Sequence, residues 1–294
     1  MILVTGATGT IGSQVFRRLA AAGERPRAFV RDPQAARARL GESVEYVVGD
    51  LDRPETVEAG LAGVDRVFLL TRQTSRQLEQ ERIVIDAAVR SGARRLVKLS
   101  VFRAAERSPL QIARQHRQAE RAVEQSGLPH TIVRPVFLMH NLLGMVRDGA
   151  IHTAAEDGRV AMVDARDVAA VAVNALSSRT SDGKTFTLTG PQPLSFDEVA
   201  ELLSQETGKP IRHVRVAPDD VRDGLERSGV EAWFAEDMAK LHSMLADRYE
   251  DLVSDDVRTV TGTSPTTLAE FARDFADHFT NSAQAADATD RVAS

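Results

Sequence analysis

Along the first half of the chain, short apolar runs alternate with stretches whose apolar residues recur every three to four positions. "MILVTG" precedes a helical pattern at about 11–22, and "RPRAFVR" and then "VEYVVGD" precede one at about 54–62. "DRVFLLT" leads into a helix at about 78–91, "RRLVKLS" into one at about 113–127, and "HTIVRP" closes the series at Pro135. Runs such as "RVFLL" and "RLVKL" lack the alternation of a half-exposed strand, so both of their faces should be covered. Strand and helix in turn predict right-handed crossovers and a parallel sheet with helices on both sides, a doubly wound α/β domain of Rossmann type.

After Pro135 the pattern loosens. "GKTFTLTGP" reads as a strand, "SFDEVAELLSQETG" as a helix opened by a Ser195-x-x-Glu198 capping box, and "PIRHVRV" as another strand. Two further helices, at about 231–246 and 265–279, suit a smaller C-terminal α/β lobe beside the carboxyl end of the sheet, where ligands of such sheets bind. The expected organisation is a single domain over 1–280, with a core of about 1–150 and a lobe formed mainly by about 151–280. The polar end 281–294, "NSAQAADATDRVAS", reads as a disordered tail. "VDARDVA" looks like a helix start, with Asp164 as cap and Asp167 in the first turn.

Composition narrows the partners more than the chemistry. Of 294 residues, 43% are hydrophobic and 27% charged, an ordinary globular balance, and the net charge of −5 gives no reason to expect nucleic acid or an anionic membrane. No stretch approaches the roughly 20 apolar residues of a membrane helix, and no signal core precedes the first strand. The absence of cysteine excludes disulfides and thiolate chemistry and is compatible with a cytoplasmic protein. The seven histidines are scattered without ligand spacing, so no metal site is expected. Nothing in the sequence indicates the oligomeric state.

"VTGATGTIG" places Gly6, Gly9 and Gly12 between the first strand and the first helix. Gly6 would permit the tight turn, Gly9 the approach of a pyrophosphate to the backbone, and Gly12 close packing of helix on strand. The helix N-terminus would then offer free N–H groups to the phosphates. An acidic residue after the second strand would favour NAD and an arginine NADP. Arg31 ends "AFVR" directly and Asp32 follows it, which favours NADP, with a plain surface arginine as the alternative. Asp50 and Leu51 in "VVGDL" could rim an adenine, or Asp50 could cap the next helix. Thr71 and Arg72 end the fourth strand near the middle of such a cofactor.

These residues resemble the NmrA-like branch of atypical short-chain dehydrogenases/reductases, a group that includes triphenylmethane reductases, NADPH-quinone reductases and NADP-sensing regulators. The resemblance runs over nearly the whole chain, through "TGATGTIG", Arg31, "GDL", "KLSV", "H…E…SGLPHTIVRP…F…N", "DARDVA", "GKTFTLTGPQPLSFDEVAELLS" and "SPTTLAEFARDF". It implies that Gly6, Thr8, Gly9, Thr10, Ile11 and Gly12 hold the pyrophosphate of NADP, Arg31 its 2′-phosphate, and Asp50 and Leu51 its adenine. Thr71, Ser100, Val101, Pro135 and Val136 would line the nicotinamide.

Standard short-chain reductases use a Tyr-x-x-x-Lys pair to handle the substrate proton. The corresponding stretch here carries His116-x-x-x-Glu120, and neither Tyr46 nor Tyr249 is followed four residues on by lysine. His116 could be a catalytic proton donor, with Glu120 holding the ring or raising its pKa. Alternatively both are structural, with Glu120 paired to Arg117 or Arg121. "VFLMHNLLGM", with Met139, His140 and Asn141, reads as the substrate wall, and Met145 suits an adaptable pocket. Trp233, the single tryptophan, could cap the pocket from the lobe or merely anchor the lobe. The expectation is an NADPH-dependent oxidoreductase acting on a small conjugated or aromatic acceptor (quinone, dye or enone). Its rivals are a non-catalytic NADP sensor and a secondary-metabolism tailoring enzyme without net reduction.

Overall fold

The computed structural model describes residues 1–42, 44–247 and 251–280, so the tail at 281–294 and Tyr249 lie outside the described residues. Seven strands form one sheet: β1 (Ile2–Val4), β2 (Pro26–Val30), β3 (Tyr46–Val48), β4 (Arg66–Leu69), β5 (Arg95–Leu99), β6 (His130–Pro135) and β10 (Lys184–Leu188). Their order is β10-β6-β5-β4-β1-β2-β3, every pairing parallel. The order reverses between β1 and β4, which opens the ligand crevice of such sheets at the carboxyl ends of those strands.

Strand parity sorts the side chains. Ile2, Val4, Phe68, Val97 and Leu99 face one core with α1 (Thr10–Ala21) and α7 (Ala165–Ser177), next to α2 (Pro33–Leu40). Leu3, Val67, Leu69 and Leu96 face the other core, under α3 (Pro54–Gly60), α4 (Gln77–Arg90) and α5 (Gln111–Gln125). Lys98 falls on this second face by the same alternation and is fully buried.

The boundary expected near residue 150 is too simple. β10 completes the main sheet beside β6, while α7 packs on α1 and α11 (Asp256–Thr261) packs on α7 and β10. The physical reason is edge coverage: β6 would otherwise leave a row of unpaired backbone groups, and α1 an uncovered apolar stripe. Asp164 caps α7 through the Arg166 N–H at 2.7 Å, as read from sequence, and Asp167 accepts from Thr266 N at 2.7 Å.

The lobe has its own core. β8 (Ala150–Thr153) lies between β7 (Val146–Arg147) and β12 (Arg212–Arg215), and β9 (Arg159–Val160) pairs with β11 (Leu194–Ser195). Around them stand α6 (Leu142–Met145), α8 (Phe196–Thr207), α9 (Pro218–Arg227), α10 (Ala232–Ala246), α12 (Leu268–Asp274) and α13 (Ala276–Thr280). The Ser195–Glu198 capping box opens α8. The helix expected over 265–279 is instead two, broken at Phe275. Among the described residues no helix is long and apolar enough to cross a membrane.

Lobe and sheet meet where α10 packs on α5. No side chain of its own segment caps α5, whose N-cap is Leu110. The buried carboxylate of Asp237, on α10, accepts from the Ile112 N–H at 2.7 Å and supplies the cap from across the interface.

Candidate active site

The loop from β1 to α1 is shaped by contacts that only glycine permits. Gly6 has φ +60°, and a Cβ there would lie 2.8–2.9 Å from Leu70 at the end of β4. At Gly12 a Cβ would lie 2.0 Å from the Gly6 carbonyl oxygen, so α1 rests directly on the turn. Thr5 Oγ1 donates to the Leu70 carbonyl at 2.7 Å and accepts from the Leu70 N–H at 2.9 Å, which locks β1 to β4 at the switch point. Gly9 is the N-cap of α1, and no side chain caps that helix. The N–H groups of Thr10, Ile11 and Gly12 therefore stand at its open end, able to hold an anionic group. Ile11 could contribute only its backbone, since its side chain is buried in the core.

Arg31 and Asp32 divide their roles. The Asp32 carboxylate caps α2 by accepting from the Gln34 N–H at 2.8 Å. Arg31 is exposed and has no ion pair or hydrogen bond among the described residues. Asp50 is not the cap of α3, whose N-cap is Arg53. Its Oδ1 accepts from the Asp52 N–H at 3.0 Å within the turn itself. Leu51 packs half-buried against the α3/α4 side of the sheet.

Two buried acid–base clusters lie under the tips of β4 and β5. In the first, Glu81 of α4 accepts from Thr71 Oγ1 at 2.9 Å, Gln77 Nε2 at 3.3 Å and Lys98 Nζ at 2.7 Å. Lys98 Nζ also donates to the Leu99 carbonyl at 3.0 Å and lies 3.3 Å from His116 Nδ1. An ammonium group can only donate, so Nδ1 is the acceptor and the ring proton sits on Nε2. His116 Nε2 lies 3.1 Å from Gln77 Nε2, the same amide nitrogen that donates to Glu81. Burial, reinforced by the charges of Lys98 and Arg134, holds the His116 pKa well below its usual range.

In the second cluster Glu120 is fully buried and does not hold His116. It accepts from Ser100 Oγ at 2.6 Å, from Arg134 at 2.5 and 2.8 Å, and from Arg117 at 3.1 Å. Arg121 pairs with Glu106 instead. Burial pushes the Glu120 carboxyl up, but the hydrogen bonds of Arg134 and Ser100, with the charge of Arg134 and the Arg117 bond, outweigh it and hold the pKa below the usual range. Thr71 and Ser100 thus have their hydroxyl protons committed to carboxylates, which leaves each oxygen able only to accept. Val101 follows Ser100 half-buried, Pro135 is buried, and Val136 is half-buried against the lobe core.

The expected substrate wall is corrected. Met139 is 1% exposed and belongs to the lobe core, because the chain turns inward there to pair Leu138 with Val163. The His140 ring stands edge-on to Phe271 and Phe275, its Nδ1 is buried without a partner, and burial lowers its pKa to about 4. Asn141 remains half-buried, and Met145 packs on the lobe core. Trp233 is half-buried on α10, its Nε1–H donating to Glu231 at 2.9 Å.

Sequence reasoning passed over Lys98, Glu81, Gln77, Arg134 and Asp237. The signal for the first three was present: Gln77, Glu81, Val84, Ile85 and Ala88 share one stripe of α4, so Gln77 and Glu81 occupy core positions, and Lys98 interrupts a strand buried on both faces. Among the described residues no group of carboxylates and histidines could hold a metal.

The family model described as the NmrA-like family matches residues 1–272. The chain is 38% identical over 283 residues to a protein of Xenophilus azovorans named NAD(P)H azoreductase, covering 95% of this chain and 99% of that one. Among solved structures it is similar to the Citrobacter triphenylmethane reductase complexed with NADP(H), with a TM-score of 0.81 and 28% identity over 94% of this chain and all of that one. It is also similar to the Escherichia coli NADPH-dependent quinone oxidoreductase complexed with NADPH, with a TM-score of 0.83 and 26% identity over 94% of this chain and 99% of the other.

Proposed function

The chain belongs to the NmrA-like family, and on that premise we propose that it is a cytoplasmic NADP(H)-dependent reductase delivering hydride to a small aromatic or conjugated acceptor. One observation carries the cofactor: an uncapped helix N-terminus rests on glycines that admit no Cβ, with an unengaged arginine at the tip of the next strand. The named substrates of its azoreductase, quinone and dye-reducing relatives support the acceptor class.

The N–H groups of Thr10, Ile11 and Gly12 hold the pyrophosphate, with Gly6, Thr8 and Gly9 shaping the loop. Arg31 takes the 2′-phosphate. Asp50 offers the adenine its second carboxylate oxygen, and Leu51 an apolar rim. Bound NADPH supplies the hydride. Thr71 and Ser100 position the reactive ring as acceptors, with Val101, Pro135 and Val136 as its apolar bed. His116 is a neutral ring enclosed between Lys98 and Gln77, so it braces α5 and gives up no proton. A conjugated acceptor suits such a site because its charge is delocalised after hydride arrives and water can protonate it.

Calorimetric titration tests the cofactor. NADPH is expected to bind more tightly than NADH, and Arg31→Ala should cost NADPH about 1.5–3 kcal/mol while leaving NADH unchanged. Equal affinities in the unaltered protein would sink the 2′-phosphate role. No consumption of NADPH with quinones, azo dyes or cationic dyes would favour the sensor instead.

A further inference from the structure

We infer that the aromatic body of the acceptor is bound by the half-buried apolar face of α10, seated against the tip of β5, and that Trp233 and Met238 determine its fit. The inference rests on the proposed reductase activity and locates the acceptor, which that reading left without a wall.

The small apolar cluster between lobe and sheet is built unlike the others. Its buried members are Leu110, Ile112, Ala113 and Phe234, and they are outnumbered by six half-buried ones: Val101, Val230, Trp233, Met238, Leu241 and Met244. In the other three clusters the buried side chains dominate. Four of the six half-buried residues come from α10, and the fifth, Val230, lies two residues before it. Val101 directly follows Ser100 at the carboxyl end of β5, beside the crevice in which hydride must be delivered. The apolar face is therefore continuous with the proposed nicotinamide bed.

The side chains suit a flat, polarisable guest. An indole offers stacking area with little entropy to lose, and two thioethers adapt to irregular ring systems and make favourable contacts with aromatic edges. Asp237, between these residues on the same helix, is buried and accepts from the Ile112 N–H, so it acts as a positioning residue that fixes where the wall stands.

The single tryptophan makes the site directly readable. The protein saturated with NADP+ would be titrated with 1,4-naphthoquinone while Trp233 fluorescence is followed, with free N-acetyltryptophanamide correcting for absorbed light. Saturable quenching is expected. In Met238→Gln its midpoint should rise at least tenfold, as should the KM for the quinone, with calorimetric NADPH affinity unchanged. Asp237→Ala should also raise that KM, and Asp237→Asn, whose amide oxygen can still accept from Ile112, should restore it. Quenching no greater than that of the free indole would overturn the inference. So would an unchanged quinone KM in both Met238→Gln and Trp233→Ala with turnover intact. Saturable quenching without any NADPH oxidation would uphold the binding site and count against the reaction alone.

Discussion

Glu81 and Glu120 are both buried carboxylates beneath a strand tip, and each holds the proton of a hydroxyl, Thr71 or Ser100. They differ in how their charge is balanced. Glu81 is met by Lys98, whose side chain is as enclosed as its own, at 0% against 1% exposure. Glu120 is met by Arg134 and Arg117, which keep 22% and 24% of their side chains in contact with solvent. One cluster is sealed and the other is vented. A guanidinium spans carboxylate and water at once, whereas the Lys98 ammonium has spent all three donors inside. Equivalent hydrogen bonds can therefore carry unequal consequences when one partner is lost.

The largest effect should come from the sealed side. Lys98→Met strands Glu81 in the interior and should cost about 3–5 kcal/mol by urea unfolding, most of it recovered in the double variant Lys98→Met/Glu81→Leu. A double variant as unstable as the single one would mean that packing, and not the uncompensated charge, sets the cost. On the vented side Glu120→Gln should cost less, about 1–2 kcal/mol, because both arginines can turn to water. A loss equal to that of Lys98→Met would break the distinction.

The smallest effect concerns His116 and is read most clearly against pH. Because burial keeps its ring neutral, the unfolded chain takes up a proton that the fold refuses once pH drops below about 6.5. The stability it contributes is therefore complete above that pH and declines as pH falls. Glu120, held below its usual 4.5, contributes stability that persists until pH falls beneath that value. The urea midpoint should accordingly start to drop near pH 6.5, with a shallower drop in His116→Ala. Turnover of that variant should fall by less than about tenfold. A fall of 100-fold or more with NADPH binding intact would restore His116 as a proton donor.

The main sheet and the glycine loop were legible because backbone geometry dictates them. A Cβ at Gly12 has nowhere to go, and apolar runs buried on both faces read plainly as central strands. Asp164 and Ser195 were legible as caps because their partners lie two and three residues away. The interior place of Met139 was not. "VFLMHNLLGM" has the composition of a pocket, and only the pairing of Leu138 with Val163 turns Met139 inward. His116 and Glu120 share a helix face, which suggested a pair, yet each is claimed by a different strand through Lys98 and Arg134. Asp237 caps a helix 125 residues away, a relation that no local pattern can carry.

The late arrival of α7 and β10 also shapes how the chain reaches this form. When the first 150 residues have left the ribosome, β6 still has an open edge, and the stripe of Ile11, Val15 and Leu19 on α1 still lacks the helix that covers it. Both are supplied only by residues 165–188, after the first lobe strands have been made. The nascent sheet must therefore wait with an adhesive edge exposed, and its closure couples the oldest part of the chain to one synthesised seconds later.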